Sequence, residues 1–332
     1  NRNDYLVLFS SGTTGHPKAI LLSQKNKYER SIYAGKLYKF NRNECVILNY
    51  SLNHSVGQRL LFMGLLHSGK IILMKNHNPY KWYELCKLYN VSFSIVVSFH
   101  IKKFLKLKLN LNSLNKLKNL VSVSDVLEDN IRKKLLKYNF NFHEIYGTAE
   151  ISTITNIKHR KNSKNKSVGK ILDYGKIKIL NDKFKVVKNG EIGQIACKSQ
   201  LMFKKYYLNN YETKKSLHNG YFLTGDMGYI KNNFLYFSGR SKNIIRISGI
   251  TIYPEEIEKK LKKLNCIKNC IIQGVYDENL GERIKAIIIS DPKNEYKIYQ
   301  YCIKNLEIYK IPSEFKFVEK FKTSNLGKII RS

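Results

Sequence analysis

Acidic side chains are scarce in this chain of 332 residues, in which 25 aspartates and glutamates stand against 59 lysines and arginines, for a formal net charge of +34. Such a surplus often indicates binding to nucleic acid or to an anionic membrane surface. Arginine is scarce too, with ten of the 59 basic residues, whereas proteins that read bases and phosphates favour its bidentate fork. Lysine is spread along the chain among abundant asparagine, isoleucine and tyrosine, which indicates A/T-rich coding. We therefore expect no nucleic-acid partner, and we interpret KHRKNSKNK at 158–166 as a solvated loop or a contact for an acidic partner.

Other absences narrow the class of protein further. No apolar run approaches the roughly 20 residues of a membrane span, and no signal-peptide pattern opens the chain. The six cysteines form no CxxC pair and have no histidine at zinc-ligand spacing, so we expect reduced thiols in a cytoplasmic protein. Apolar residues make up 43% of the chain, a globular composition, and the length allows two domains.

A loop rich in hydroxyl groups and glycine, SSGTTGHPK at 10–18, lies between two apolar runs that predict buried strands. Its glycines allow close backbone approach, its amides can form an anion-binding concavity, and its lysine adds a mobile charge. The spacing is not that of a P-loop, so the segment is either an ordinary hairpin loop or a polyphosphate site of another kind. A chain that begins at Asn1 and carries such a loop at once is expected to be a piece of a longer protein or a processed product.

Three sequence patterns follow one another along the chain. From about 19 to 150, strand-like runs such as IILM at 71–74 and FSIVVSF at 93–99 alternate with helical stretches, which predicts an α/β layer with a mostly parallel sheet. From about 165 to 240, short strands and glycine turns predict a small β-rich subdomain. After it, IYPEEIEKKLKKL at 252–264 predicts a helix that begins at its proline, within a small α+β domain. The predicted parts are residues 1–160, 161–241 and 243–332.

Six sequence islands occur in order along the chain. They are SSGTTGHPKA at 10–19, NHSVG at 53–57, HEIYGTAE at 143–150, GYFLTGD at 220–226, GRSKNIIRISGITIYPEEIE at 239–258, and KIPSEFKF through TSNLGKIIR at 310–331. Together they resemble the AMP-forming adenylating superfamily of acyl-CoA synthetases, luciferases and peptide-synthetase adenylation domains. The resemblance implies an α/β fold whose large adenylating domain lacks its N-terminal portion and is followed by a small mobile C-terminal domain.

The family reaction implies an acid–thiol ligase that uses ATP and Mg²⁺. A carboxylic acid is joined to AMP with release of pyrophosphate, and the acyl group then passes to the thiol of CoA or of a phosphopantetheinyl carrier protein. Since a carboxylate must approach an anionic triphosphate, positive groups are needed where negative charge accumulates. An acidic acyl carrier protein would suit the basic chain as a partner.

The resemblance also assigns roles to residues, with Lys328, Thr13 and Lys18 as catalytic groups. For ATP, the resemblance implies phosphate binding by Ser11, Gly12, Thr13, Thr14, Gly15 and Lys18, a further phosphate contact by Thr148, and magnesium binding by Glu150. It implies contacts to adenine by Ser124, Asp125, Tyr146 and Gly147, and contacts to the ribose by Asp226 and Arg240. It places the acid pocket at His54 and Gly57, the pantetheine passage at Gly249, and the hinge at Lys242. Residue type alone also allows interpretations without a function. Asp226 and Arg240 are then turn and surface residues, His54 is a core histidine, and Lys242 is an exposed loop lysine.

The chain departs from the family pattern at three places in the islands and their surroundings. In the last island, Leu326 of SNLGK stands where serine or glycine is usual. Ala149 stands where most members carry threonine, which removes a hydroxyl that Thr148 is able to replace. Val123 and Ser124 stand where glycines are usual, so the backbone beside adenine must differ. Three alternatives stay open: an amino-acid adenylation domain, which His54 disfavours, an inactive truncated relative that only binds nucleotide or a partner, and a nucleic-acid binder.

Overall fold

The computed structural model describes residues 3–10, 18–75, 78–123, 127–161, 165–248, 250–323, 329 and 331. Its helices are α1 (Gln24–Tyr38), α2 (Ser55–Leu66), α3 (Pro79–Leu88), α4 (Ser98–Lys106), α5 (Asp129–Leu135), α6 (Asn210–Lys215), α7 (Pro254–Leu261) and α8 (Glu295–Asn305). Its strands are β1 (Asp4–Ser10), β2 (Lys18–Ser23), β3 (Cys45–Leu48), β4 (Lys70–Leu73), β5 (Phe93–Val97), β6 (Asn119–Val123), β7 (Asn141–Thr148), β8 (Ser152–Lys158), β9 (Gly169–Ile171), β10 (Gly175–Leu180), β11 (Gly193–Ser199), β12 (Lys205–Tyr206), β13 (Leu217–His218), β14 (Tyr221–Lys231), β15 (Phe234–Arg240), β16 (Ile245–Ile247), β17 (Ile250–Ile252), β18 (Asn269–Asp277), β19 (Gly281–Ile289) and β20 (Glu314–Phe317).

The largest sheet has the strand order β10-β11-β14-β15-β9-β8-β7-β6-β5-β3-β4, with β13 beside β14. Its parallel part runs through β4, β3, β5, β6 and β7, where β5 and β6 pair in register from Phe93 with Asn119 to Val97 with Val123. β5 is buried along its whole length, as expected for an apolar strand covered on both faces. Smaller sheets contain β1-β2-β12, β16-β17 and β18-β19-β20. The predicted α/β fold class is confirmed.

The core beside the parallel strands is aromatic. Trp82 on α3 and Phe104 on α4 are both buried, and their rings stack with centroids 4.4 Å apart. The indole nitrogen of Trp82 donates to the hydroxyl of Ser94 on β5 at 3.1 Å. This bond satisfies the one polar atom of the buried ring and fixes α3 on the sheet.

The chain divides into two compact units, described separately below. Unit 1 comprises residues 1–178, 196–224 and 230–236, and unit 2 comprises 179–195, 225–229 and 237–332. In unit 2, α7 and α8 pack on the sheet of β18 and β19, and the fully buried members of this core include Ile257, Ala286 and Ile298. The three-part division at residues 160 and 241–243 stays a prediction.

Two interpretations of short segments need correction. The run FSIVVSF forms a strand only to Val97, because α4 begins at Ser98. The basic stretch at 158–166 is not solvated at His159, whose side chain is buried beside the Glu144 carboxylate at 2.6 Å. Within the described part of the chain, no helix has both the length and the apolar composition to cross a membrane.

Candidate active site

Nine of the predicted site residues lie outside the described residues. They are Ser11, Gly12, Thr13, Thr14, Gly15, Ser124, Asp125, Gly249 and Lys328. The other ten are placed by the structure on strands, in turns and at the start of a helix.

One tyrosine of unit 1 lies between the loop lysine and the predicted metal ligand. Lys18 opens β2, and its Nζ lies 2.6 Å from Oε2 of Glu212 on α6 and 5.2 Å from the ring centroid of Tyr206. The Tyr206 hydroxyl, on the neighbouring strand β12, donates to Oε1 of Glu150 at 2.9 Å. The structure therefore brings Lys18 and Glu150 to one place through a residue that the sequence motifs do not include.

The protonation of this group follows from its contacts. The hydrogen bond from the Lys18 ammonium lowers the pKa of Glu212, so this carboxylate stays ionised. Burial, together with the charge of Glu150, raises the pKa of Tyr206, so its hydroxyl stays protonated and able to donate. Glu212 thus holds a partly exposed lysine by a bond that an incoming phosphate is able to replace.

A buried arginine on α1 fixes the backbone of Glu150. The guanidinium of Arg30 donates to three carbonyl oxygens, those of Leu201 at 2.8 Å, Ala149 at 2.9 Å and Glu150 at 2.7 Å. The amide of Phe203 also donates to the Glu150 carbonyl, at 2.6 Å. Burial lowers the pKa of Arg30 to about 9, so it remains charged at neutral pH. No sequence motif indicates this role, because a single arginine within a helix has no local pattern.

The carboxylate of Glu150 fits a magnesium ligand. The residue is buried, its Oε1 accepts one hydrogen bond, and no described residue donates to its Oε2. In the described ranges, no group of three or more acidic, histidine or cysteine side chains forms a cation site. A single carboxylate suits Mg²⁺, which is usually bound by one or two carboxylates together with substrate phosphates and water.

The end of β7 owes its shape to a glycine. A Cβ at Gly147 would lie 1.9 Å from the carbonyl oxygen of Ser152 on β8, and the pairing of the two strands is irregular between Tyr146 and Gly147. Only glycine allows this close approach in the turn that carries Glu150. The adjacent hydroxyl of Thr148 is buried, and it has no hydrogen-bond partner among the residues that the structure describes. A buried hydroxyl without a partner is a candidate ligand contact.

The predicted acid-pocket residues both lie at the start of α2. His54 precedes the helix as its N-cap residue, with its side chain half-buried. A Cβ at Gly57 would lie 2.3 Å from the carbonyl oxygen of Ser51, so this glycine lets α2 pack against the preceding backbone. The role of His54 and Gly57 in an acid pocket stays a prediction.

In unit 2, the two predicted ribose contacts form an ion pair. Asp226 on β14 is 3% exposed, which excludes the interpretation as a surface residue. Nε of Arg240, at the end of β15, lies 3.1 Å from Asp226 Oδ1. Lys242 follows in the 3-10 turn Ser241–Asn243, directly after the strand. Its position at an element end agrees with a hinge, and this role stays a prediction.

The described residues that flank Lys328 in the sequence make contacts within unit 2. Thr323 and Ile329 form an antiparallel bridge. Arg331 donates to Glu258 Oε2 at 2.8 Å and to the Ile272 carbonyl at 3.2 Å. Glu258 is 6% exposed, and its burial raises its pKa although Arg331 acts in the opposite direction. The arginine therefore ties the chain end to a carboxylate that would be costly to leave alone.

We expect Arg331→Gln to lower the free energy of unfolding by about 2 kcal/mol, because it leaves the Glu258 carboxylate buried without its cation. Urea denaturation measures the change. The control is Arg283→Gln, which removes a half-exposed partner of Glu314 in the same unit and should cost at most about 1 kcal/mol. Equal losses of unfolding free energy in the two variants would show that the Arg331–Glu258 pair stabilises the unit no more than an exposed ion pair does.

Two family models match the chain. The model described as AMP-binding enzyme matches residues 2–207, and that of the AMP-binding enzyme C-terminal domain matches residues 256–328. The chain belongs to the AMP-binding enzyme family. The family predicted from the six islands is thereby confirmed.

Curated relatives of this AMP-binding enzyme are named as CoA ligases. The putative long chain fatty acid-CoA ligase VraA of Staphylococcus aureus (strain COL) is 28% identical over 328 residues, which cover 97% of this chain and 69% of that protein. The putative acyl--CoA ligase YdaB of Bacillus subtilis (strain 168) is 26% identical over 336 residues, with coverage of 98% and 66%. The chain thus spans about two thirds of the length of these relatives.

Solved structures of adenylating enzymes share the fold. The o-succinylbenzoate CoA synthetase (MenE) from Bacillus subtilis, in complex with its acyl-adenylate intermediate, superposes with a TM-score of 0.89 at 23% identity, covering 98% of this chain and 67% of that one. ATP-bound MatB from Rhodopseudomonas palustris superposes with a TM-score of 0.87 at 21% identity, covering 98% of this chain and 66% of that one. The truncated large domain and small C-terminal domain expected from the sequence agree with this coverage.

Proposed function

We propose that this protein activates a carboxylic acid with ATP, releases pyrophosphate, and transfers the acyl group from the adenylate to the thiol of CoA. The observation that carries the proposal is the contact chain Lys18–Tyr206–Glu150, which joins a lysine ammonium to a carboxylate whose Oε2 accepts no hydrogen bond from a described residue. These are the groups that a magnesium triphosphate requires.

Each residue has a separate task in this proposal. Lys18 exchanges its bond with Glu212 for one with a phosphate oxygen. Glu150 would hold Mg²⁺, which would neutralise charge on the phosphates. The Thr148 hydroxyl donates to the α-phosphate, in place of the hydroxyl missing at Ala149. Asp226 accepts the ribose hydroxyls, as a buried carboxylate oriented by Arg240 is able to do.

The acceptor and the location are part of the same proposal. The names of the relatives support CoA as the acceptor. An acidic pantetheinyl carrier protein is the alternative, and the net charge of +34 favours it on electrostatic grounds. The six cysteines are free thiols, which supports a cytoplasmic location.

Trapping the adenylate with hydroxylamine tests the activity. We expect ATP-dependent hydroxamate and pyrophosphate from at least one acid of a carboxylic-acid panel. Lys328→Ala should lower the rate about 10²-fold or more, because it removes the implied positive group at the reacting oxygens, while ATP binding by calorimetry persists.

Three outcomes would contradict the proposal or refine it. Hydroxamate from amino acids alone would identify an amino-acid adenylation domain. ATP binding without any hydroxamate would identify an inactive relative. A Lys328→Ala variant as fast as the wild type would remove Lys328 from the mechanism.

A further inference from the structure

Three cationic side chains lie together between α1 and α2 of unit 1. Lys27 and Arg30 on α1 are 4% and 6% exposed, and Arg59 on α2 is half-buried. Buried lysine and arginine side chains are normally paired with carboxylates. The group that neutralises these three charges therefore bears directly on the function of the site.

The three cations differ in their hydrogen bonds to the described residues. Arg30 donates to three carbonyl oxygens. Arg59 donates to two neutral hydroxyls, those of Thr153 and, at 3.0 Å, Ser152. The Nζ of Lys27 lies 4.4 Å from the ring centroid of Phe62, a cation–π contact that offsets part of its desolvation.

No carboxylate within the described part of the chain lies at ion-pair distance from Lys27 or Arg59. Burial and the neighbouring Arg30 and Arg59 lower the pKa of Lys27 to about 7. Tyr38 and Tyr174, the titratable groups that face Arg59, have raised pKa values and stay neutral. The negative charge that acts on the cluster is that of Glu150, and it acts on Arg30, so Lys27 and Arg59 are left without a carboxylate partner among the described residues.

The cluster lies close to the proposed reaction site. Ser152 and Thr153, which accept hydrogen bonds from Arg59, are the second and third residues after Glu150. Three residues of chain span at most about 10 Å. A small acid whose reacting carboxylate is near Glu150 would therefore place its other end beside Arg59.

We propose that the acid activated by this enzyme carries a second anionic group, and that Arg59 and Lys27 bind this group. The substrate class is a short dicarboxylic acid, with one carboxylate that reacts and one that pairs with the guanidinium fork of Arg59. The inference rests on the proposed adenylation. It gives a physical reason for specificity, since a monocarboxylate would leave two desolvated cations unpaired.

Matched pairs of acids test the inference on the full chain. Malonate, succinate and glutarate are compared with propionate, butyrate and valerate by pyrophosphate release. We expect the wild type to prefer the dicarboxylates by about 10²-fold or more in kcat/KM. Arg59→Gln should remove most of this preference and leave the KM for ATP unchanged, and Lys25→Met, on the exposed face of α1, should leave the preference intact.

A binding measurement separates the failure of this inference from that of the proposed function. Succinate should raise the Tm of the wild type, butyrate should not, and Arg59→Gln should abolish the difference. If butyrate reacts as well as succinate, or Arg59→Gln lowers both rates equally, the inference is wrong and adenylation stands. If no acid reacts but succinate still raises the Tm, the site stands and the proposed function is wrong. A KM for ATP that rises with every acid would assign the cluster to the triphosphate.

Lys27→Met gives a second readout that does not depend on the folding of the first variant. Because it removes a buried cation that has no carboxylate partner among the described residues, we expect its Tm to rise while the response to succinate is lost. The wild-type response should weaken as the pH increases through about 7, where Lys27 loses its proton. A lower Tm for Lys27→Met with an unchanged succinate response would overturn the assignment of Lys27.

Discussion

Replacement of Glu150 by glutamine is expected to lower the rate of adenylate formation by about 10³-fold. The change removes the one charge that the described site offers to a hard cation, and it keeps the shape of the side chain. The amide oxygen of glutamine is still able to accept the hydrogen bond from Tyr206. Arg30 continues to hold the backbone of residue 150, so the free energy of unfolding should change by less than about 1 kcal/mol.

The magnesium dependence of pyrophosphate release checks this prediction. For Glu150→Gln, the magnesium concentration at half-maximal rate should rise along with the loss of rate. The control is Glu212→Gln, which loosens Lys18 without touching the metal ligand, and should leave the magnesium dependence unchanged. A variant at Glu150 that is slow but has the wild-type magnesium dependence would assign this carboxylate a positioning role.

The elements of the fold could be predicted wherever the local pattern was distinctive. The apolar run at 71–74 became β4, and the proline at 254 begins α7 as expected for a first-turn position. The predicted strand at 93–99 is too long, since a short apolar run does not show that α4 begins at Ser98. His159 was misjudged because its basic neighbours suggested solvent, whereas β8 carries it to the buried side of Glu144.

The site could be predicted only as far as its residues occur in motifs. Lys18 and Glu150 follow from the islands, but the tyrosine between them does not, because Tyr206 is 56 residues from Glu150 along the chain. The role of Arg30 could not be predicted for the same reason, because its hydrogen-bond partners are 119 to 171 residues away along the chain. Contacts of this range depend on how strands and helices pack, and no local spacing encodes them.

The buried ion pair of Arg132 and Glu144 gives the largest expected loss of stability. Arg132 on α5 is 4% exposed, and its Nε lies 2.6 Å from Glu144 Oε2. It also donates to the Leu127 carbonyl at 3.0 Å, while the Leu127 amide donates to Glu144 Oε1 at 3.2 Å. Arg132→Met should lower the free energy of unfolding by about 3–5 kcal/mol, because it leaves a buried carboxylate without its cation.

The pH dependence of this loss of stability shows whether it comes from the charge on Glu144. Burial alone would raise the pKa of Glu144, but the close approach of His159 and the bonds from Arg132 outweigh it, and the pKa lies below the ordinary 4.5. A lowered pKa stabilises the fold above that value, and this contribution is lost as the pH falls through the folded pKa. Protonation of Glu144 in the variant removes the unpaired charge, so the gap between wild type and Arg132→Met should narrow in acid.

Urea denaturation at pH 7 and pH 4 measures both stabilities. Lys102→Met is the matched control, because it breaks the half-exposed pair with Glu128 nearby and should cost at most about 1 kcal/mol. If the gap for Arg132→Met stayed constant between the two pH values, the loss would come from packing of the arginine side chain. If the difference in unfolding free energy between wild type and Arg132→Met narrows at pH 4, the loss comes from the unpaired charge on Glu144. The Arg132–Glu144 pair then stabilises the packing of α5 against β7, the strand that precedes the turn carrying Glu150.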